Sequence, residues 1–511
     1  MPQFTRYLLA LATITLSSFG ALPAAAQTMN EDIKIVPSDA AAGDWFGFSV
    51  AISGTTAIVG AHLDNSGGTD SGSAYLYDTR TGYRISKLIA SDADSDDRFG
   101  YSVAISDTTA IVGSWSDDNP ELSGGSAFLF DAATGYQIAK LTPSDPFNFD
   151  HFGQSVAISG TTAIVGAHTT GISVGTAYIF DTETQQELFK LNASDSELNA
   201  EFGYSVAISG TTAIVGARNQ DNKGAAYIFD TETGVELFKL SASDRGFFDE
   251  FGYAVAISGT TAIVSAYQND DAGEDSGSVY LFDTTTGQQM AKITASDAQA
   301  GDLFGKSVSI SGNIALIGAH GDDDGGDDAG SAYLFDITTG QQIAKLVASD
   351  AAPVDLFGRS VGISNGNIIV GAYRDNAAGT DSGSAYIFDF ALNILQQPQG
   401  TIVTVGDTAE FSVLIQDETG IAFQWRRNGI DLADADNITG SQSSTLQIVA
   451  TENDEAFYDC VISDLLEYTS DSVVLAVMPD PNACLVDLNN DGTLNFFDVS
   501  LFLQLFSAGC P

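Results

Sequence analysis

The phrase FGFSVAISGTTAIVGA begins at Phe46 and returns in related form at Phe99, Phe152, Phe202, Phe251, Phe304 and Phe357. The intervals are 53, 53, 50, 49, 53 and 53 residues. A period near fifty that contains four short apolar runs is the signature of a β-propeller blade. Each unit reads as strand A (FGxSVAIS), strand B (TTAIVGA), strand C (GSAYLFD) and strand D (QIAKL). Ser-Gly-Thr turns join A to B and Thr-rich turns with glycine usually join C to D, both with hairpin chemistry. Alternation such as Val50-Ala51-Ile52 and Tyr75-Leu76-Tyr77, rich in β-branched and aromatic residues, favours strands over helices. The 52 glycines against 11 prolines suit a chain of many tight turns.

The register shows how the array ends. A Lys followed five residues later by the Asp of a Ser-Asp pair closes each strand D, as in Lys87 and Ser91-Asp92. The same pattern occurs once before the first Phe-Gly, as Lys34-Ile35-Val36-Pro37-Ser38-Asp39. The seventh unit has strands A to C, Phe357 to Asp389, and then its composition changes. The strand around Ile33–Val36 is therefore expected to supply strand D of the last blade. That closes a seven-bladed ring over about residues 27–391 and removes the exposed edges of an open array; a β-solenoid of the same strands is the alternative. The repeated lysine is expected to snorkel on the outer strand and pair with neighbouring acids. The Ser-Asp pairs are expected to be turn or cap groups that bond backbone N–H.

These units resemble FG-GAP repeats, the blade type of the integrin α-chain propeller, over roughly residues 30–390. In that family the calcium loop lies between the FG strand and the strand ending in G-A-P. Here that connection is only Ser53-Gly54-Thr55-Thr56 and its equivalents, so those calcium positions do not carry over.

The chain carries 67 Asp and Glu against 19 Lys and Arg, a formal charge of −48. Nucleic-acid binding needs basic patches, so that function class is excluded. Hydrophobic residues at 44% exclude an acidic disordered tail. If A–B and C–D are hairpins on one face, the B–C and D–A connections share the other, and about half of the acids fall there. The densest loops hold Asp270, Asp271, Glu274 and Asp275 in blade five, and Asp322, Asp323, Asp324, Asp327 and Asp328 in blade six. They read as a solvated, turn-forming surface or as ligands for a hard cation. At that face, where strand B ends, stand His62, Trp115, His168, Arg218, Tyr267, His320 and Tyr373. They are candidate contacts for an extracellular glycan or protein at the propeller mouth; packing between blades is the other reading.

Residues 1–26 read as a signal peptide. Arg6 gives a positive start, Tyr7 to Leu16 an apolar run too short to span a bilayer, and Ala24-Ala25-Ala26 a cleavage site. The protein is thus expected outside the cell, with no transmembrane segment in the mature chain. Residues 392–478 resemble a bacterial immunoglobulin-like domain. There Trp425 matches the buried Trp of strand C, Tyr458 the tyrosine corner and Cys460 the strand-F cysteine. Val413 stands where the partner cysteine would be, so Cys460 is expected to be a buried free thiol.

The tail, residues 479–511, has oxygen side chains at Asp487, Asn489, Asp491, Asn495 and Asp498, which are loop positions 1, 3, 5, 9 and 12. Gly492 takes the sharp turn at position 6, and Thr493 offers its carbonyl. Calcium is the expected ligand, with an Asx-rich turn as the alternative. Phe497 to Leu503 reads as the exiting helix, and Cys484 and Cys510 are expected to staple this small module. The tail resembles one half of a dockerin, which implies a cohesin-like or cell-surface partner; dockerins carry two such segments and this chain shows one.

The fold expectation is all-β: a seven-bladed propeller, an immunoglobulin-like sandwich and a small helical dockerin-like EF-hand segment. The functional expectation is a non-enzymatic secreted binding or adhesion protein. The alternative is a secreted polysaccharide-active enzyme with its active site on the acidic face, but H-E-x-x-H is missing from the sequence.

Overall fold

The computed structural model describes residues 27–118, 124–390, 394–415, 421–463 and 467–478. The expected signal peptide 1–26, the segment Asp487–Asp498 expected to bind calcium, the helix expected over Phe497 to Leu503, and Cys484 and Cys510 lie outside the described residues.

Seven sheets follow one another, each ordered A-B-C-D. In blade one these are Ser49–Ser53, Thr56–Ala61, Ser73–Asp78 and Arg84–Leu88, all antiparallel. Strands B and C are buried on both faces, which explains why they read as continuous apolar runs, whereas strand A alternates. The cores lie between blades rather than within them. Ile58, Leu76 and Leu88 of blade one pack with Phe99, Val103, Val112 and Phe128 of blade two. No blade can bury its faces alone, so the ring is the folding unit.

Ring closure matches the expectation. Ile33–Ile35 pairs antiparallel with Ser384–Asp389 of blade seven, with Lys34 opposite Tyr386. One addition was not legible in the sequence: Gln27–Met29 runs parallel to Gln341–Leu346 of blade six, as a fifth strand.

The Phe-Gly and Val-Gly-Ala phrases have one shared cause. Phe99 is fully buried and meets the rings of Phe128 and Phe130 edge-on at 5.4 and 5.8 Å. Gly100 donates its N–H to the Gly113 carbonyl at 3.1 Å. A Cβ on Gly60 of blade one would sit 2.0 Å from the Gly100 carbonyl oxygen of blade two. Backbone meets backbone in this way at six of the seven seams, where only glycine fits. Blade five has Ser265 at that position, and there the hydroxyl accepts from the Ala254 N–H at 3.0 Å instead. The residue before each Phe-Gly takes a left-handed turn although none is glycine: Trp45, Arg98, His151, Glu201, Glu250, Leu303 and Leu356 have φ between 53° and 61°. Each costs about 1–2 kcal/mol, so the packed seams must impose this entry turn.

The second domain is a sandwich. One sheet runs Thr401–Thr404, Val473–Met478, Ala456–Ser463, Ala422–Arg427 and Ile430–Asp431, and the other Thr408–Ser412, Thr445–Val449 and Ile438–Thr439. Trp425, Tyr458, Cys460 and Val413 share its core. The Tyr458 hydroxyl donates to the Asp454 carbonyl at 2.9 Å, as a tyrosine corner should. Cys460 is free and buried, and burial pushes its thiol up to about 12.

Candidate functional site

The B–C loop of each blade is bonded to the D–A loop that leads into the next. Asp96 N–H donates to the Thr69 carbonyl at 2.8 Å, and Phe99 N–H to the Ser71 carbonyl at 2.9 Å. Both loop sets therefore share one face, and the acid is concentrated there as the strand order implies.

Much of that acid is structural. Each strand-D lysine is clasped by the Ser-Asp aspartate of the preceding blade: Lys87 by Asp39, Lys140 by Asp92, Lys190 by Asp145, Lys239 by Asp195, Lys292 by Asp244, Lys345 by Asp297 and Lys34 by Asp350, at 2.5–2.9 Å. Four lysines also reach a buried aspartate of their own B–C loop, namely Asp64, Asp117, Asp322 and Asp375. The serine half joins blades too, since Ser91 N–H donates to Gln137 Oε1 and Ser144 N–H to Glu187 Oε2. The lysine expectation holds. The Ser-Asp expectation holds for the turn, closed around Ser91-Asp92 by the Ala93 N–H donating to the Ala90 carbonyl at 3.2 Å. The pair's further role is a clasp between blades, which a reading of one blade at a time cannot see.

A strand-C tyrosine completes the clasp. Burial pushes Asp322 up, but bonds from Lys345 Nζ and the Tyr333 hydroxyl at 2.7 Å outweigh it and hold the carboxyl below its usual range. In blade two Phe128 replaces that tyrosine, and Asp117 stays raised by burial despite Lys140. Asp297, Asp322 and Asp324 lie within 4.8 Å of one another, the closest approach to a cation site among the described residues. Lys345 Nζ already sits against all three. In blade five, Asp270 accepts from the Asp275 N–H and Asp271 pairs with Lys292.

At the centre of this face the seven A strands surround a cavity of about 220 Å³. Its wall is the residue after each Phe-Gly: Phe48, Tyr101, Gln154, Tyr204, Tyr253, Lys306 and Arg359. Deeper, valines such as Val50, Val103 and Val156 line it. Lys306 Nζ lies 4.3 and 3.9 Å from the ring centres of Tyr253 and Tyr267, and the Arg359 guanidinium 4.6 Å from that of Phe48.

The family model described as FG-GAP repeat matches seven times, at residues 29–77, 84–130, 136–180, 186–229, 235–282, 288–335 and 341–388. The chain belongs to the FG-GAP repeat family. An immunoglobulin I-set domain matches residues 392–477, and no curated protein matches the chain. The FG-GAP sequence unit begins at strand D and ends at strand C, so it straddles two blades. The first copy takes in the strand that closes blade seven.

The seven mouth residues drawn from the sequence form a second ring around the cup. His62, His168, Tyr267 and Tyr373 are buried, while Trp115, Arg218 and His320 are partly exposed. They continue a belt of rings: His62 meets Phe48 at 4.3 Å and Tyr101 at 5.2 Å, Trp115 meets His151 at 4.6 Å, and Tyr267 meets Tyr253 at 4.3 Å. Burial, helped by Arg98 and Arg359, pushes His62 down to about 3, and burial with His151 and Arg218 does the same to His168. Burial with Lys306 and Arg359 holds His320 well below its usual range. These imidazoles are neutral at physiological pH and pack between blades. Arg218 stacks 3.9 Å over Tyr204 and pairs with Glu201 at 2.7 Å and Glu250 at 3.2 Å. The cup wall itself escaped the sequence reading. The available signal was the one freely varying position inside the repeated F-G-x-S-V phrase.

Proposed function

We propose that this FG-GAP protein is a secreted, non-enzymatic binding or adhesion protein. Its propeller presents the central cup and the surrounding acidic face to an extracellular ligand, a glycan or a protein. The immunoglobulin-like domain serves as a spacer, and the tail, with calcium on Asp487, Asn489, Asp491, Thr493, Asn495 and Asp498, serves for docking or surface retention. One observation supports this reading most strongly. Within the repeated F-G-x-S-V phrase, the position that varies freely is the one that lines the cup, so this strand holds its scaffold constant and diversifies one surface. Exposed apolar side chains on the same face, Phe147, Phe149, Phe247 and Phe248, are 66–72% exposed and offer contact area. No helix among the described residues is long and apolar enough to cross a membrane.

The test is an array of glycans and extracellular-matrix proteins probed with the full chain, with and without EDTA, beside a polysaccharide turnover assay. Binding that falls at least ten-fold in Tyr253→Ala, without turnover, is the expected result. Turnover abolished by a single Asp→Asn change on the acidic face would sink it.

A further inference from the structure

We propose that the cup is an anchor site for one carboxylate side chain on the basic surface of a partner protein, held by Lys306 and Arg359. This rests on the reading of the cup as the ligand face.

Lys306 and Arg359 hold the same position in adjacent blades, six and seven, and both line the cavity. Among the described residues no carboxylate reaches either within the 4.0 Å of an ion pair. Glu250, the acid whose field Lys306 feels, is held by Arg218 at 3.2 Å. Both cations rest against aromatic faces, which compensate a charge only in part. Arg359 also raises the cost of charge on Lys306. Burial lowers Lys306 from its ordinary value, the Tyr253 hydroxyl offsets part of that, and the neighbouring Arg359 lowers it further. Burial alone would raise the Tyr253 hydroxyl, yet Arg359 and Lys306 bring it down to about 8. Two shielded like charges without a counter-ion are an arrangement that folding disfavours. In a chain with 67 acids for 19 bases, a partner was readily available.

A carboxylate fits this vacant role. Arg359 offers paired planar donors, Lys306 a point charge, and the tyrosine rings close the sides. A cavity of about 220 Å³ takes one side chain rather than a threaded segment. The surroundings select the carrier. A polyanion would be repelled by the acidic loops around the cup, whereas a basic protein surface with a single Asp or Glu matches both the rim and the hub. The exposed phenylalanines of the D–A loops add the apolar contact that such interfaces use.

The probes are two fluorescent, C-terminally amidated peptides, Lys-Lys-Glu-Lys-Lys and its Gln-centred counterpart, titrated against the full chain by anisotropy. The Glu peptide is expected to bind about ten-fold more tightly, the size of one good charge-assisted pair. The double variant Lys306→Met, Arg359→Gln should lose that preference and keep the salt-sensitive binding of both peptides to the rim. Its circular dichroism and melting temperature should match the parent, because it removes a repulsion and breaks no ion pair. Equal binding of the two peptides by the parent chain, or a preference that survives in the double variant, overturns the anchor. Trigalacturonate binding more tightly than the Glu peptide, and dependent on Lys306 and Arg359, would reassign the hub to an acidic sugar and overturn the protein partner. Binding of neither peptide would overturn the ligand-face reading itself.

Discussion

The outer and inner strands of the propeller treat positive charge in opposite ways. On strand D every blade carries a lysine, and each is clasped by at least one aspartate, with Lys345 held by three. On strand A only blades six and seven carry a cation after Phe-Gly, and Lys306 and Arg359 meet rings instead of carboxylates. The same charge in the same fold thus has two roles. Where it recurs in every blade and is neutralised, it joins blades. Where it appears in two and is left unmatched, it faces the cup.

The largest effect should come from the clasp. Lys345 is almost fully shielded, and Lys345→Met would strand Asp297, Asp322 and Asp324 together. Breaking a shielded pair of this kind costs about 3–5 kcal/mol, read as a lowered urea midpoint. A smaller loss, about 1–3 kcal/mol, is expected for Tyr333→Phe, which removes the donor to Asp322 and rebuilds the arrangement that blade two has at Phe128. The pKa of Asp322, followed by NMR, should rise in that variant.

Next comes pH. Burial first, then the charges of Asp117, Asp322 and Asp375, raise Asp97, Asp302 and Asp355 to about 6. A carboxyl raised in the fold contributes stability that is present below about 3.8 and is lost as pH rises through 6. The clasped Asp64, Asp322 and Asp375 are held low despite burial, so their contribution is lost as pH falls below that range. Stability should therefore peak near pH 4, with a higher urea midpoint there than at pH 7.5 and a decline below about pH 3.5. A midpoint that rises steadily to pH 8 would contradict the assignment. The smallest effect belongs to Lys306→Met, whose stability should stay within about 0.5 kcal/mol of the parent or rise.

The architecture was legible because it is periodic. Seven copies of one phrase gave the blade count, and a stray Lys34–Asp39 pattern gave the closure, without any three-dimensional knowledge. Trp425, Tyr458 and Cys460 likewise marked the sandwich core. What stayed hidden depends on contacts between repeats. Asp39 and Lys87 are 48 residues apart and meet only once the ring has closed, so the turn of the Ser-Asp pair was legible and its clasp was not. The parallel strand Gln27–Met29 has no repeat partner to announce it. The cup wall was hidden for a different reason: the residue after strand B carries aromatic and hydrogen-bonding side chains but packs between blades, while the wall itself is the variable residue after Phe-Gly. The left-handed turn before each Phe-Gly falls on Trp, Arg, His, Glu and Leu alike, so no residue type signals it.

The most direct test of the two roles compares Lys345→Met with Lys306→Met in the full chain, measuring urea stability and Glu-peptide binding for both. Lys345→Met should lose stability and keep the preference for the Glu-centred peptide, while Lys306→Met should keep stability and lose that preference. The reverse pattern, or two variants that behave alike, would contradict the division between clasp and cup.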